Sequence, residues 1–230
     1  TMLHSDPFIE RMQKNIYPMA MRFDKIKMAK YIQFINFGYR FENMEKDNIK
    51  TTFPRRTTYA QAAYEASIMK NRKVKANAFK MFEFAFLRYY KAHRQPGDKF
   101  AFYFARIDLI NEFTALMKRK YPELSIERYV EDDDYDNVIK PDGRITTRGS
   151  AGTGVDIPGL ITVISFDNVD SQQASLQLLG RLRNLKGKEM IFVQMYATNI
   201  QKHMLYKEKR DKLVADRLLS RVETLYTENL

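Results

Sequence analysis

Two stretches of the 230-residue sequence carry residue types at spacings that could do chemistry. The first is Arg148-Gly-Ser-Ala-Gly-Thr-Gly-Val-Asp-Ile-Pro-Gly159. Gly149, Gly152 and Gly154 fall within six positions, which lets backbone amides approach a phosphate closely. The spacing G-x-x-G-x-G is not the dinucleotide fingerprint G-x-G-x-x-G. Nor is it a P-loop, because Val155 and Asp156 stand where Lys and Ser or Thr are required. Taken alone, the stretch is equally an ordinary glycine-rich loop.

The second stretch is Gln177-Leu-Leu-Gly-Arg-Leu-Arg-Asn184. On a helix, Ala174, Leu178 and Leu182 form an apolar stripe, and Gln177, Arg181 and Asn184 lie on another face. An arginine on a cleft-lining helix could stabilise charge on a transferring phosphoryl group. An isolated row of this kind reads more readily as a solvated face.

The elements that must hold these stretches alternate between strands and helices. Tyr31–Phe41 is aromatic and β-branched and predicts a strand. Thr58 followed by Gln61 has the form of a capping box, with Tyr59, Ala62, Ala63, Ala66 and Met69 at helical spacing behind it. A second helix is expected from Lys75 to His93, with Phe79, Phe82, Phe86 and Tyr89 or Tyr90 as its stripe. Further strands are expected at 100–106, 125–130, 144–148, 160–166 and 190–196. One helix should start at Asp108 and another should run from Ser171 to about Asn184, and a charged helix closes the chain. Glu131–Asp136 carries five carboxylates and reads as a solvated loop. The pattern implies βαβ units: an α/β domain with a mainly parallel sheet and helices on both faces.

The formal charge of +11 points to a polyanionic partner, since Lys and Arg gain affinity by releasing counterions from phosphates. Between Lys70 and Arg94, eight basic residues stand against the single acid Glu83, with Lys70, Arg72 and Lys73 at the front. Without Cys, disulfide and thiolate chemistry is excluded. His4, His93 and His203 share no ligand spacing, so no metal site is expected. No stretch has transmembrane length, and a soluble, cytoplasmic protein without membrane contact is expected.

The order of the two stretches, a glycine loop ending in Gly-Val-Asp-Ile-Pro-Gly, a buried strand and then Q-x-x-G-R, resembles motifs V and VI of superfamily-two helicases. Phe102–Ile110 looks like motif IV. More weakly, strand 31–41 and the helix at 57–73 are similar to the lead-in of phage UvsW-type helicases. The resemblance implies a C-terminal RecA-like motor domain over 96–230, with 1–95 as a lead-in packed on it. It implies that Gly154, Asp156, Gln177 and Arg181 face ATP, with Arg181 as the finger to the γ-phosphate. Arg106, Thr147, Gly149 and Ser150 would face the nucleic-acid backbone, DNA being the expected partner with RNA left open. The family usually reads Q-x-x-G-R-x-x-R, and Asn184 occupies the last place. Arg183 is one residue early, and on a continuous helix it lies about 200° round from Arg181. It could serve only if the helix unwinds there.

Neither a Walker A nor a D-E-x-[HD] motif occurs in the 230 residues. ATP would therefore be shared with an N-terminal RecA-like domain of the same parent, which would also hold Mg²⁺. The isolated chain is expected to hydrolyse ATP negligibly. Two alternatives stand beside the motor: a non-catalytic nucleic-acid-binding or interaction module, and a sugar-nucleotide enzyme, which would leave the Q-x-x-G-R helix unexplained.

Overall fold

A computed structural model describes residues 31–131, 133–151, 156–214 and 219–229. Its centre is a seven-stranded sheet built from β1 (Ile32–Arg40), β2 (Lys99–Phe104), β3 (Ile126–Tyr129), β4 (Gly143–Thr147), β5 (Leu160–Ser165), β6 (Met190–Ala197) and β7 (Leu219–Asn229). The spatial order is β3-β4-β2-β5-β6-β1-β7, and every pairing is parallel. Strand 31–41, from the segment read as a lead-in, lies inside the sheet between β6 and β7.

The helices are α1 (Gln61–Lys70), α2 (Arg72–Phe86, continued by a π turn over Leu87–Lys91), α3 (Ile107–Lys120), the short α4 (Asp136–Ile139) and α5 (Arg148–Ala151), α6 (Gln172–Leu179) and α7 (Gln201–Val214). Successive side chains of a strand point to opposite faces. Phe100, Phe102 and Phe104 therefore share one face of β2, where they meet Phe82 and Phe86 of α2 and Phe113 of α3. Phe82 also packs edge-on against Phe166 beyond β5, at 4.8 Å between ring centroids. The stripe Phe82, Phe86 and Tyr90 is thus core, as its helical spacing implies. On the opposite face, Asn36 of β1 donates to Asp211 of α7.

Four local expectations are corrected. The capping box at Thr58 does not form; α1 starts later, with Ala60 at its N-cap and no side-chain cap. Its buried residues include Ala63, Tyr64, Ser67 and Ile68, whereas Ala62, Ala66 and Met69 are only partly buried. Asp108 does not cap α3: Arg106 is the N-cap residue, and the Asp108 carboxylate instead binds the Arg106 guanidinium. Lastly, the chain does not close on a helix, because β7 follows α7 and pairs with β1. Ser171 does cap α6, accepting from the Ala174 amide at 3.2 Å, but that helix stops at Leu179, not near Asn184. Gly180 ends it, its N–H donating back to the Leu176 carbonyl.

Candidate functional site

In an open parallel sheet, ligands gather where the strands end. Here the ends of β2, β4 and β5 enclose a cleft of about 330 Å³ lined by Phe104, Ala105, Ile107, Glu131, Thr147–Ser150 and Asp167. Three of the residues expected to face a nucleic-acid backbone, Thr147, Gly149 and Ser150, line it together. Thr147 shapes this wall: its Oγ accepts from the Ser150 amide at 3.0 Å and lies 2.8 Å from the Ser150 hydroxyl.

Two glycines of the loop differ in purpose. Gly159 has φ +81°, and a Cβ there would stand 2.4 Å from the Gly97 carbonyl oxygen. Its identity is dictated by the fold. A Cβ on exposed Gly149 would meet only the Thr147 hydroxyl, at 3.7 Å. Among the described residues, nothing would block a side chain there. Gly154 lies outside the described residues.

Charge in the cleft is balanced rather than uniformly positive: Glu131, Arg148 and Asp167 line it, whereas Arg106, expected there, is not among its lining residues. Arg106 is gripped by both oxygens of Asp108, at 2.8 and 2.7 Å. That hydrogen bonding holds the Asp108 carboxyl below its ordinary range. Arg148 meets Asp167 at 3.0 Å, with the Asp167 carboxylate almost fully buried. Burial pushes the Asp167 carboxyl up, and the Arg148 charge opposes the shift.

Behind the cleft lies a buried polar network that the sequence reading missed. α1 crosses the strand ends. Its Glu65, fully buried, accepts from the Ala105 amide at 2.9 Å and the Arg106 amide at 2.8 Å. Gln61 donates to Glu65 and to the Phe166 carbonyl, each at 2.9 Å, and its own carbonyl accepts from the Asn168 amide. Tyr59 donates to that carbonyl and lies 2.5 Å from His203 Nε2, while His203 Nδ1 accepts from the Ala197 amide. Nδ1 must therefore be unprotonated, so His203 is a structural hydrogen-bonding residue. Burial holds His203 down at about 3 and pushes Glu65 up to about 8, against the pull of its N–H donors. The available signal for Glu65 was its spacing: Gln61, Glu65 and Ile68 recur at i, i+4 and i+7, a polar pair on a buried stripe. For Asp167 it was position, directly after the apolar run of β5.

The other expected residues lie elsewhere. Lys70, Arg72 and Lys73 are exposed at the junction of α1 and α2, a helix length of about 15 Å from Gln61. Asp156 precedes β5 and Arg183 precedes β6, so both sit where strands start, not where they end. Arg183 Nε meets Asp156 Oδ1 at 3.4 Å. Gln177 and Arg181 are half-buried. Since α6 has ended before Arg181, the helical period no longer separates Arg181 from Arg183.

The fold is that of the C-terminal RecA-like domains of superfamily-two helicases. By sequence, no family model and no curated protein matches the chain. By structure, it is similar to UvsW of T4, with a TM-score of 0.57 at 14% identity over 87% of this chain and 42% of that one. It is also similar to Dbp5 of S. cerevisiae bound to RNA and ADP BeF3, with a TM-score of 0.55 at 10% identity over 96% of this chain and 49% of that one. The C-terminal domain of the DEAD-box protein Dbp5 overlaps with a TM-score of 0.51 at 11% identity, 91% of that domain being covered. The chain thus spans under half of the two longer structures and nearly all of the isolated domain.

Proposed function

We propose that this chain is the second motor domain of an ATP-driven DNA helicase or translocase. The observation that carries the reading is the division of one helicase-type sheet into two edges. A cleft of hydroxyls, an exposed glycine and Arg148 lies at the strand ends, and an exposed acid–arginine pair lies at the strand starts. The nucleic-acid backbone would run past Arg106, Thr147, Gly149 and Ser150, with Lys70, Arg72 and Lys73 extending the path. Contacts of this kind position a strand without reading its bases.

Asp156, at the other edge, would face ATP together with Gln177 and Arg181, and the sequence implies the same of Gly154. The groups present suit a triphosphate: Arg181 and Arg183 bring cations, and Gln177 brings a hydrogen-bonding amide. ATP supplies the phosphoryl group whose transfer to water drives the motor, its remaining contacts and its Mg²⁺ belonging to a partner domain. Arg181 would stabilise negative charge on the γ-phosphate. Arg183, released from the helical period, would serve as the second cation, with Asp156 as its resting partner.

The purified 230 residues test the reading. They should hydrolyse ATP negligibly, with or without DNA, and should bind a labelled oligothymidylate with an affinity that falls as salt rises. Robust DNA-stimulated turnover would sink this division of labour. Absence of binding would favour a protein-interaction module, and tighter binding of oligouridylate would transfer the partner from DNA to RNA.

A further inference from the structure

We propose that Glu65 is a positioning residue of the nucleic-acid cleft: from behind, it fixes the Ala105–Arg106 turn that forms one wall. The inference rests on the nucleic-acid reading above.

Two backbone amides between β2 and α3 need acceptors. β2 ends at Phe104 and α3 begins at Ile107. The N–H groups of Ala105 and Arg106 therefore belong to neither the strand ladder nor the helix, and buried amides of this kind need an acceptor. Glu65 supplies both oxygens. Oε1 takes the Ala105 amide and the Gln61 side chain; Oε2 takes the Arg106 amide and a longer share of Ala105. Among the described residues every donor is an N–H, and none is the head of a Lys or Arg. Gln61 ties the same carboxylate to the β5 end through the Phe166 carbonyl and the Asn168 amide. One turn of α1 thus sets the spacing between the Ala105–Arg106 wall and the β5 end that carries Asp167.

The amides held this way cannot also bind a phosphate. The wall must then act through its side chains: half-exposed Ile107 lines the cleft, and its direction, like that of neighbouring Arg106, depends on the turn beneath them. A carboxylate kept fully buried without a cationic partner is costly, and an apolar side chain there would orphan both amides. The geometry demands length: Asp at this position is one methylene short of the amides.

The test uses the 230-residue chain with Glu65→Gln and Glu65→Asp. Amide exchange at Ala105 and Arg106 is followed by NMR, and oligothymidylate affinity by fluorescence anisotropy. In the unaltered chain, both amides should exchange far more slowly than that of exposed Gly149; equal exchange overturns the proposal without any variant. Glu65→Asp should speed exchange at both positions and weaken binding about tenfold, the loss of one hydrogen bond. Glu65→Gln, which keeps length and one acceptor, should fall between. Wild-type behaviour of Glu65→Asp, or faster exchange with unchanged affinity, overturns it. No binding by the unaltered chain would overturn the nucleic-acid reading itself, and this inference with it. That failure is distinguishable, because in the other cases the unaltered chain binds.

Discussion

At the strand ends, Glu65, Gln61 and Asp167 are buried and each is hydrogen-bonded or ion-paired, whereas at the strand starts Asp156 and Arg183 meet with 69% and 64% of their side chains exposed. The first edge is finished: its walls are fixed by groups within the domain. The second is open, and its charged groups rest on each other in solvent. A surface that must hold one shape against a strand benefits from internal bracing. A surface that completes a nucleotide cleft only when a second domain closes has its partners supplied from outside.

The comparison can be broken in five places, the largest effect first. In a parent enzyme, Arg181→Ala should cut turnover by about 10³-fold or more, the range for an arginine finger. DNA affinity should barely change; an unchanged rate in steady-state assays would remove Arg181 from the nucleotide edge. Next come the two glycines. Gly159→Ala forces a Cβ against the Gly97 carbonyl at positive φ and should cost about 1–3 kcal/mol in urea denaturation. Gly149→Ala should leave stability within about 1 kcal/mol but weaken oligonucleotide binding. The reverse pattern would exchange their roles.

The third is a pH dependence. Glu65 has a folded value of about 8 against an ordinary 4.5. Between those values the folded state binds the extra proton, so this group's contribution to stability declines as pH rises through that window. His203 runs the other way: held at about 3 against 6.5, it costs stability as pH falls below 6.5. Above pH 6.5 the His203 effect fades, so Glu65→Gln should flatten the stability profile from there to pH 8. A profile with its slope intact would show that Glu65 is not the group titrating. Fourth, neutralising Lys70, Arg72 and Lys73 together should lower the salt slope of DNA binding by about 2–3. An unchanged slope would confine phosphate contact to the strand-end cleft. The smallest effect belongs to Arg183→Ala, which should change stability by no more than about 0.5 kcal/mol, because exposed pairs contribute little.

Much of the sheet was legible because its strands are short apolar runs bounded by turns; Lys99–Phe104 after Gln95-Pro-Gly-Asp98 is the clearest. β7 was not. Leu219, Val222, Leu225 and Tyr226 recur at three- and four-residue spacing, which mimics a helix, and only pairing with β1 decides for a strand. The end of α6 was misread because Gly180 was taken as part of a motif rather than as a stop signal. At the site, Thr147, Gly149 and Ser150 were visible as a glycine-loop stretch, and the structure gathers them in one cleft. Glu65 shows in the sequence only as half of a polar pair on a buried stripe; its role is hidden because its partners are backbone amides some 40 positions away, and residue types do not announce backbone donors.

The place of β1 in the sheet sets when this domain can become native. Ile32–Arg40 lies between β6 and β7, pairing with Met190–Ala197 on one side and Leu219–Asn229 on the other. During synthesis both of its neighbours are made more than a hundred residues after it. Until they emerge from the ribosome, an apolar strand with two open edges waits unpaired, a state prone to misassociation. Such long-range parallel pairing also makes for slow folding. A chain halted before Met190 would keep β2–β5 but leave β1 stranded, so nascent intermediates should depend on chaperones until the last segment is released.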